Sequence, residues 1–284
     1  MTHLIRALSE LSGRYDALFC DLWGCVHDGQ QAYPAAIAAL RAFRGTGGVV
    51  ALLTNAPRPS DDVITGFARL GIPADAFDLV VSSGDAAAEA LAAGMVGQQV
   101  YHIGPAKDDS LFRLAPTVER VALRDATGIV CTGPFHEETE VPADYRATFL
   151  LAQSMGLKLL CANPDLVVDL GERRIYCAGA LAQLYEQMGG ESLYFGKPHP
   201  PVYQLARNRL AGRGIEDDRI LCIGDGIGTD IAGAMAEGLD SLFVTGGLAA
   251  AEFGPNPLAP DPAQLTAWLA VQSLSPTAAI GRLR

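Results

Sequence analysis

Asp21, Thr54, Lys197, Asp225 and Asp230 are the residues of this 284-residue chain whose types and positions could share one chemistry. Each stands at, or shortly after, the end of a short apolar run: 17–20, 49–53, 193–195 and 219–223. An aspartate in such a place can act as a nucleophile or a metal ligand. A threonine offers a hydroxyl and a main-chain N–H to an anion, and a lysine can neutralise a phosphoryl oxygen. A second aspartate completes a site for a hard cation, and Mg²⁺ is typically held by one or two carboxylates, waters and a substrate phosphate. Taken singly, a strand-end Asp, a Thr-Asn turn or a Gly-Lys-Pro is as often structural as functional. Their recurrence in order on matching run ends is the signal, because open α/β sheets bind ligands beyond the carboxyl ends of their strands.

The runs must then be buried parallel strands, which read as continuous apolar stretches. Helical segments separate them: 34–44, opened by Pro34; 59–70, stopped at Gly71; and 86–93 after a strand at 79–81. The tail continues with helices at 200–211 and 229–237, a strand at 242–244 and a closing helix at 262–271. The middle has its own strands at 99–103, 128–132 and 157–161, and a helix at 143–155. Alternation of this kind marks right-handed βαβ units. The predicted fold class is α/β: a Rossmann-like parallel-sheet core from 1–84 and 190–284, with 85–189 inserted as a second α/β domain. One continuous sheet is the rival arrangement.

Composition narrows the partners. A hydrophobic content of 49 % with 19 % charged residues is that of a globular chain. The net charge of −11 argues against nucleic acid or an anionic membrane surface, both of which need a basic face. A metal ion and one lysine can still reverse the field locally for an anionic metabolite. The six cysteines include no C-x-x-C pair and read as buried thiols of a reducing compartment, with Cys25 singled out because it falls in the loop after Asp21. Residues 1–15 carry Arg6, Glu10 and Arg14 without an apolar core, so no leader is expected, no run is long enough to span a membrane, and the expected location is cytoplasmic.

The motifs resemble those of the haloacid dehalogenase (HAD) superfamily. The branch is that of sugar-phosphatase-like and nitrophenylphosphatase-like proteins with a large α/β cap (class IIA). Asp21-Leu22-Trp23-Gly24 matches the first motif, Leu53-Thr54-Asn55 the second and Gly196-Lys197-Pro198 the third. Gly224-Asp225-Gly226-Ile227-Gly228-Thr229-Asp230 matches the fourth. Ala162-Asn163-Pro164-Asp165 resembles the branch's substrate-facing cap loop, and Cys177-Ala178-Gly179-Ala180 its return to the core. The resemblance implies an aspartyl-phosphate formed on Asp21, and Mg²⁺ held by Asp21, the main-chain carbonyl of Trp23 and Asp225. It implies Asp230 acting behind them. It further implies Thr54, Asn55 and Lys197 on the phosphoryl group, Asn163 and Asp165 in the cap substrate loop, a small phosphorylated metabolite as substrate, and a homodimer through the cap.

One position departs from that pattern. Family phosphatases carry a second aspartate two residues after the nucleophile, which protonates the leaving group; here it is Trp23. The carbonyl contact to a metal survives, but general acid–base help of about 10²–10⁴ in rate does not. The expectation is a phosphatase that is slow, or selective for leaving groups that need no proton, unless His27, Asp28 or His199 substitutes. Two alternatives follow from Trp23: a phosphometabolite-binding regulatory protein, and a metal-free dehalogenase-type hydrolase.

Overall fold

Ala17, Leu18, Phe19 and Cys20 are buried on both faces of the sheet that carries them, as a central parallel strand must be. The computed structural model describes residues 2–170 and 173–284. The chain divides into two units: Met1–Thr54, Ile64–Val81 and Tyr203–Arg284 form the first, and Asn55–Val63 with Ser82–Val202 the second.

The first unit is built on a seven-stranded sheet. Its strand order is His3–Leu4, Ala278–Ile280, Asp240–Val244, Ile220–Gly224, Ala17–Cys20, Val49–Thr54, Leu79–Ser82, and the first six pair in parallel. Register decides what emerges at its carboxyl edge. Cys20 lies opposite Leu52 on one side and Ile223 on the other, so Asp21, Thr54 and Asp225 leave three neighbouring strands together.

The second unit holds a five-stranded parallel sheet, ordered Glu191–Tyr194, Lys158–Cys161, Gly128–Cys131, Gln99–Ile103, Glu119–Arg120. Helices Arg146–Ser154 and Ala178–Gln187 pack Phe149, Leu181 and Tyr185 against Ile129 and Leu159. The strand before Lys197 therefore corrects the expectation that it joins the first sheet: Leu193 pairs with Leu160 of the second. The local βαβ connection through Ala178–Gln187 explains this, since consecutive elements usually pack side by side. The units differ from the expected division, 1–84 with 190–284 around 85–189, at 55–63, 82–84 and 190–202.

Two helix starts also differ. The expected helix at 86 begins at Ser83, because Ser82 and Asp85 form a reciprocal capping box. The expected helix at 229 opens as a π turn, Ile227–Ile231, before the α-helix Ala232–Ala236. Ile231 N–H reaches back five residues to Gly226 O. No helix among the described residues is long and apolar enough to cross a membrane.

Candidate active site

In the first unit, Asp21 follows directly from its strand and donates its N–H to Ile223 O at 2.8 Å, locking the two strand ends together. Its carboxylate, that of Asp225 and the Cys25 thiol bring ligand atoms within 4.8 Å of one another, and Asp21 is only 9 % exposed. Backbone lies close around Asp225. A Cβ on Gly24 (φ +78°) would lie 2.0 Å from Asp225 Oδ2, and one on Gly247 would lie 1.9 Å from it. Leu248 N–H donates to the same oxygen at 2.9 Å. Asp230 fixes the loop behind: its carboxylate accepts from Gly226 N–H at 3.0 Å and packs against Gly224. Thr54 ends the adjacent strand and is buried.

Two buried carboxylates so close, with a thiol beside them, are a donor set that could hold a divalent cation, and the glycines at 24 and 247 leave the room that the Asp225 carboxylate occupies. Burial, with the carboxylates of Asp225 and Asp21 beside it, pushes the Cys25 thiol well above its ordinary pKa. The part played by Gly247 and Leu248 was not read from the sequence. Its signal was the pair Gly246-Gly247 directly after the apolar run 242–244.

Trp23 is turned onto the loop that follows it. Its indole meets His27 edge-on at 5.3 Å, and a Cβ on Gly29 (φ +88°) would lie 2.5 Å from its Cζ2. The three residues named as substitutes for the absent acid are all engaged in structure. His27 is buried, its Nδ1 accepts from Gly29 N–H at 2.9 Å, and burial lowers its pKa to about 4. Asp28 accepts from the N–H groups of Gln30 and Gln31, as turn aspartates do. His199, in the second unit, stacks on Tyr194 with ring centroids 4.6 Å apart, and burial lowers its pKa.

In the second unit, Asn55 is a clamp. Its Nδ2 donates to Asp165 Oδ1 at 2.9 Å and to Lys197 O at 3.0 Å, while its Oδ1 accepts from Lys197 N–H at 2.7 Å. Both amide protons are thereby engaged, and the side chain holds the segment that bears Lys197. The loop with Asn163 joins the same arrangement, since Asn163 Oδ1 accepts from Asp165 N–H at 3.1 Å. Gly196 is required beside the clamp, where a Cβ would lie 2.4 Å from Asn55 Oδ1. Ser83 donates its hydroxyl to Ala162 O at 2.6 Å, just ahead of Asn163.

Residues 18–115 match the haloacid dehalogenase-like hydrolase family, and residues 194–265 a HAD-hydrolase-like family. A solved hydrolase of the haloacid dehalogenase-like family from Brucella suis 1330 is 41 % identical, covering 99 % of this chain and 100 % of that one, with a TM-score of 0.87. Ribonucleotide monophosphatase NagD of Escherichia coli (strain K12) is 25 % identical over 81 % of this chain and 88 % of its own. The glycerol phosphate phosphatase of Mycobacterium tuberculosis, solved in complex with magnesium, is 25 % identical over 87 % of this chain and 71 % of that one, with a TM-score of 0.64. With a relative 41 % identical over 99 % of this chain and the same family matched at 18–115, the chain belongs to the haloacid dehalogenase-like hydrolase family.

Proposed function

We propose that this chain is a phosphoric monoester hydrolase of small phosphorylated metabolites that works through an aspartyl-phosphate on Asp21 and requires Mg²⁺. One observation carries the reading: Asp21 and Asp225, at the ends of adjacent strands, present their ligand atoms within 4.8 Å of each other. Asp21, the main-chain carbonyl of Trp23 and Asp225 are the groups that would hold the cation. When bound, it supplies positive charge against the phosphoryl oxygens. Asp21 attacks phosphorus as the bond to the leaving oxygen breaks. Water then attacks the aspartyl-phosphate, releasing phosphate and regenerating the carboxylate. Thr54 offers its hydroxyl to the transferring group, Lys197 its positive charge, and Asp230 maintains the loop that presents Asp225. The second unit acts as the specificity cap, with Asn163 and Asp165 in its substrate loop. Exposed Leu150 and Leu151 on the helix Arg146–Ser154, with Met155 just past its end, are apolar residues that a cap-to-cap homodimer would cover. Six free, buried cysteines suit a reducing, cytoplasmic setting.

Because Trp23 cannot protonate the leaving oxygen, aryl, acyl and enol phosphates are the favoured class and alkyl phosphates the slow one. The test is phosphate release from an aryl phosphate with and without Mg²⁺, on the wild type and Asp21→Asn. Mg²⁺-dependent turnover that disappears in Asp21→Asn is expected. Absence of release from a broad panel of phosphate esters sinks the reading. Trp23 also favours a second one, a metabolite-binding regulator, which predicts saturable binding of a phosphorylated metabolite with no turnover.

A further inference from the structure

Cys25 is not needed by the chemistry above, yet it is the third ligand-bearing side chain of the cluster. Its side chain is 1 % exposed, and its sulfur has no hydrogen-bond partner among the described residues. The backbone fixes where it stands: Val26 N–H and His27 N–H both donate to Leu22 O, at 2.8 and 3.1 Å, and Gly24 N–H to His27 O at 2.8 Å. The loop is a closed knot that holds the sulfur within 4.8 Å of ligand oxygens of both Asp21 and Asp225.

Oxygen donors alone suit Mg²⁺, which ignores sulfur; a carboxylate–thiolate set suits Zn²⁺ and softer ions. Ligands of one Zn²⁺, bound at about 2.0–2.3 Å, stand roughly 3.5 Å apart in a tetrahedral site, so the cluster needs closure of little more than about 1 Å. We propose that Cys25 makes this a dual cation site, in which borderline and soft divalent ions such as Zn²⁺ and Cd²⁺ are captured by Asp21, Asp225 and the Cys25 thiolate and exclude Mg²⁺. On capture the thiol proton leaves to solvent as the sulfur–metal bond forms, and no electron is transferred. The proposal rests on reading Asp21 and Asp225 as the cation site, and it makes trace Zn²⁺ an inhibitor of the Mg²⁺-dependent hydrolase.

The probe is Cd²⁺ added to the full chain, followed by thiolate-to-cadmium charge-transfer absorption, with X-ray absorption at the cadmium edge to count sulfurs. One equivalent of Cd²⁺ is expected to develop the band with one sulfur in its shell, and excess Mg²⁺ is expected to bleach it. That competition locates the band at the Mg²⁺ site without any variant. Cys25→Ser is expected to lose the band and bind Cd²⁺ at least tenfold more weakly. Cd²⁺ that displaces Mg²⁺ through an all-oxygen shell overturns the role of Cys25 while leaving the cation site standing. A band that survives in Cys25→Ser, or that Mg²⁺ does not bleach, overturns it as well. Failure of both ions to bind removes the cation site and the proposal together.

Discussion

Asn55→Ala tests the clamp that carries Lys197. The substitution deletes three hydrogen bonds, to Asp165 Oδ1, Lys197 O and Lys197 N–H. Two of them are buried, and Asn55 and Lys197 are themselves buried, so water reaches the vacated groups poorly. Leaving a buried donor or acceptor without its partner costs about 1–3 kcal/mol each, so the main-chain N–H and C=O of Lys197 together give a loss of about 2–6 kcal/mol. For a chain of this size that lowers Tm by roughly 4–24 °C. Asn55→Asp separates hydrogen bonding from bulk. It keeps an acceptor for Lys197 N–H but sets a carboxylate oxygen against Asp165 Oδ1 and Lys197 O, so it is expected to be at least as damaging at pH 7. Calorimetry on the three proteins gives the stability, and phosphate release well below each Tm gives the kinetics. Loss of the clamp is expected to lower kcat at least tenfold in protein that remains folded. A variant with the wild-type Tm and kcat refutes the clamp. A lowered Tm with intact kcat confines Asn55 to architecture.

Three further outcomes follow from the same geometry. Trp23→Asp is expected to raise turnover of alkyl phosphates by about 10²–10⁴ while changing aryl phosphates little, at some loss of Tm because the indole no longer covers Gly29; equal effects on both substrate classes refute the missing-acid reading. Gly247→Ala places a methyl 1.9 Å from Asp225 Oδ2, so the carboxylate must move and Mg²⁺ affinity is expected to fall about 10–100-fold, read from the Mg²⁺ dependence of phosphate release. Burial lowers the pKa of His27 and of His102 to about 4, against 6.5 when unfolded, so the unfolded chain binds the extra protons. The stability from keeping these rings neutral is present above pH 6.5 and is lost as pH falls towards 4, by up to roughly 3 kcal/mol for each. Buried Asp108, raised to about 6, opposes one of them because its fold-favoured form is the protonated one, so a net fall in the urea midpoint between pH 7 and pH 4.5 is expected and a flat profile contradicts it.

What could be read from the sequence divides along a physical line. Asp21, Thr54 and Asp225 were legible because a buried parallel strand is an uninterrupted apolar run, and the run's end announces where its polar successor emerges. The same run cannot say which strand lies beside it, and this is how the strand before Lys197 was placed in the wrong sheet. Pairing is settled by the helix that returns the chain, Ala178–Gln187, and by register, neither of which leaves a mark on the residues 193–195. Strands of two to four residues, His3–Leu4, Ala278–Ile280 and the antiparallel pair Val167–Leu170 and Arg173–Tyr176, are too short for any period to show. The role of Asn55 was hidden for a different reason. An asparagine after a strand-end threonine has the same composition whether it faces a ligand or closes a loop, and its partners stand 110 and 142 residues away. Trp23 combines both situations. Its type marks at once a departure from the family pattern, but only Gly29, whose φ of +88° leaves a bare backbone under the indole, tells where the ring goes. Restoring an aspartate at 23 is therefore a change in packing as well as in chemistry, and Tm must be measured beside kcat before a modest gain in turnover is read as a weak acid.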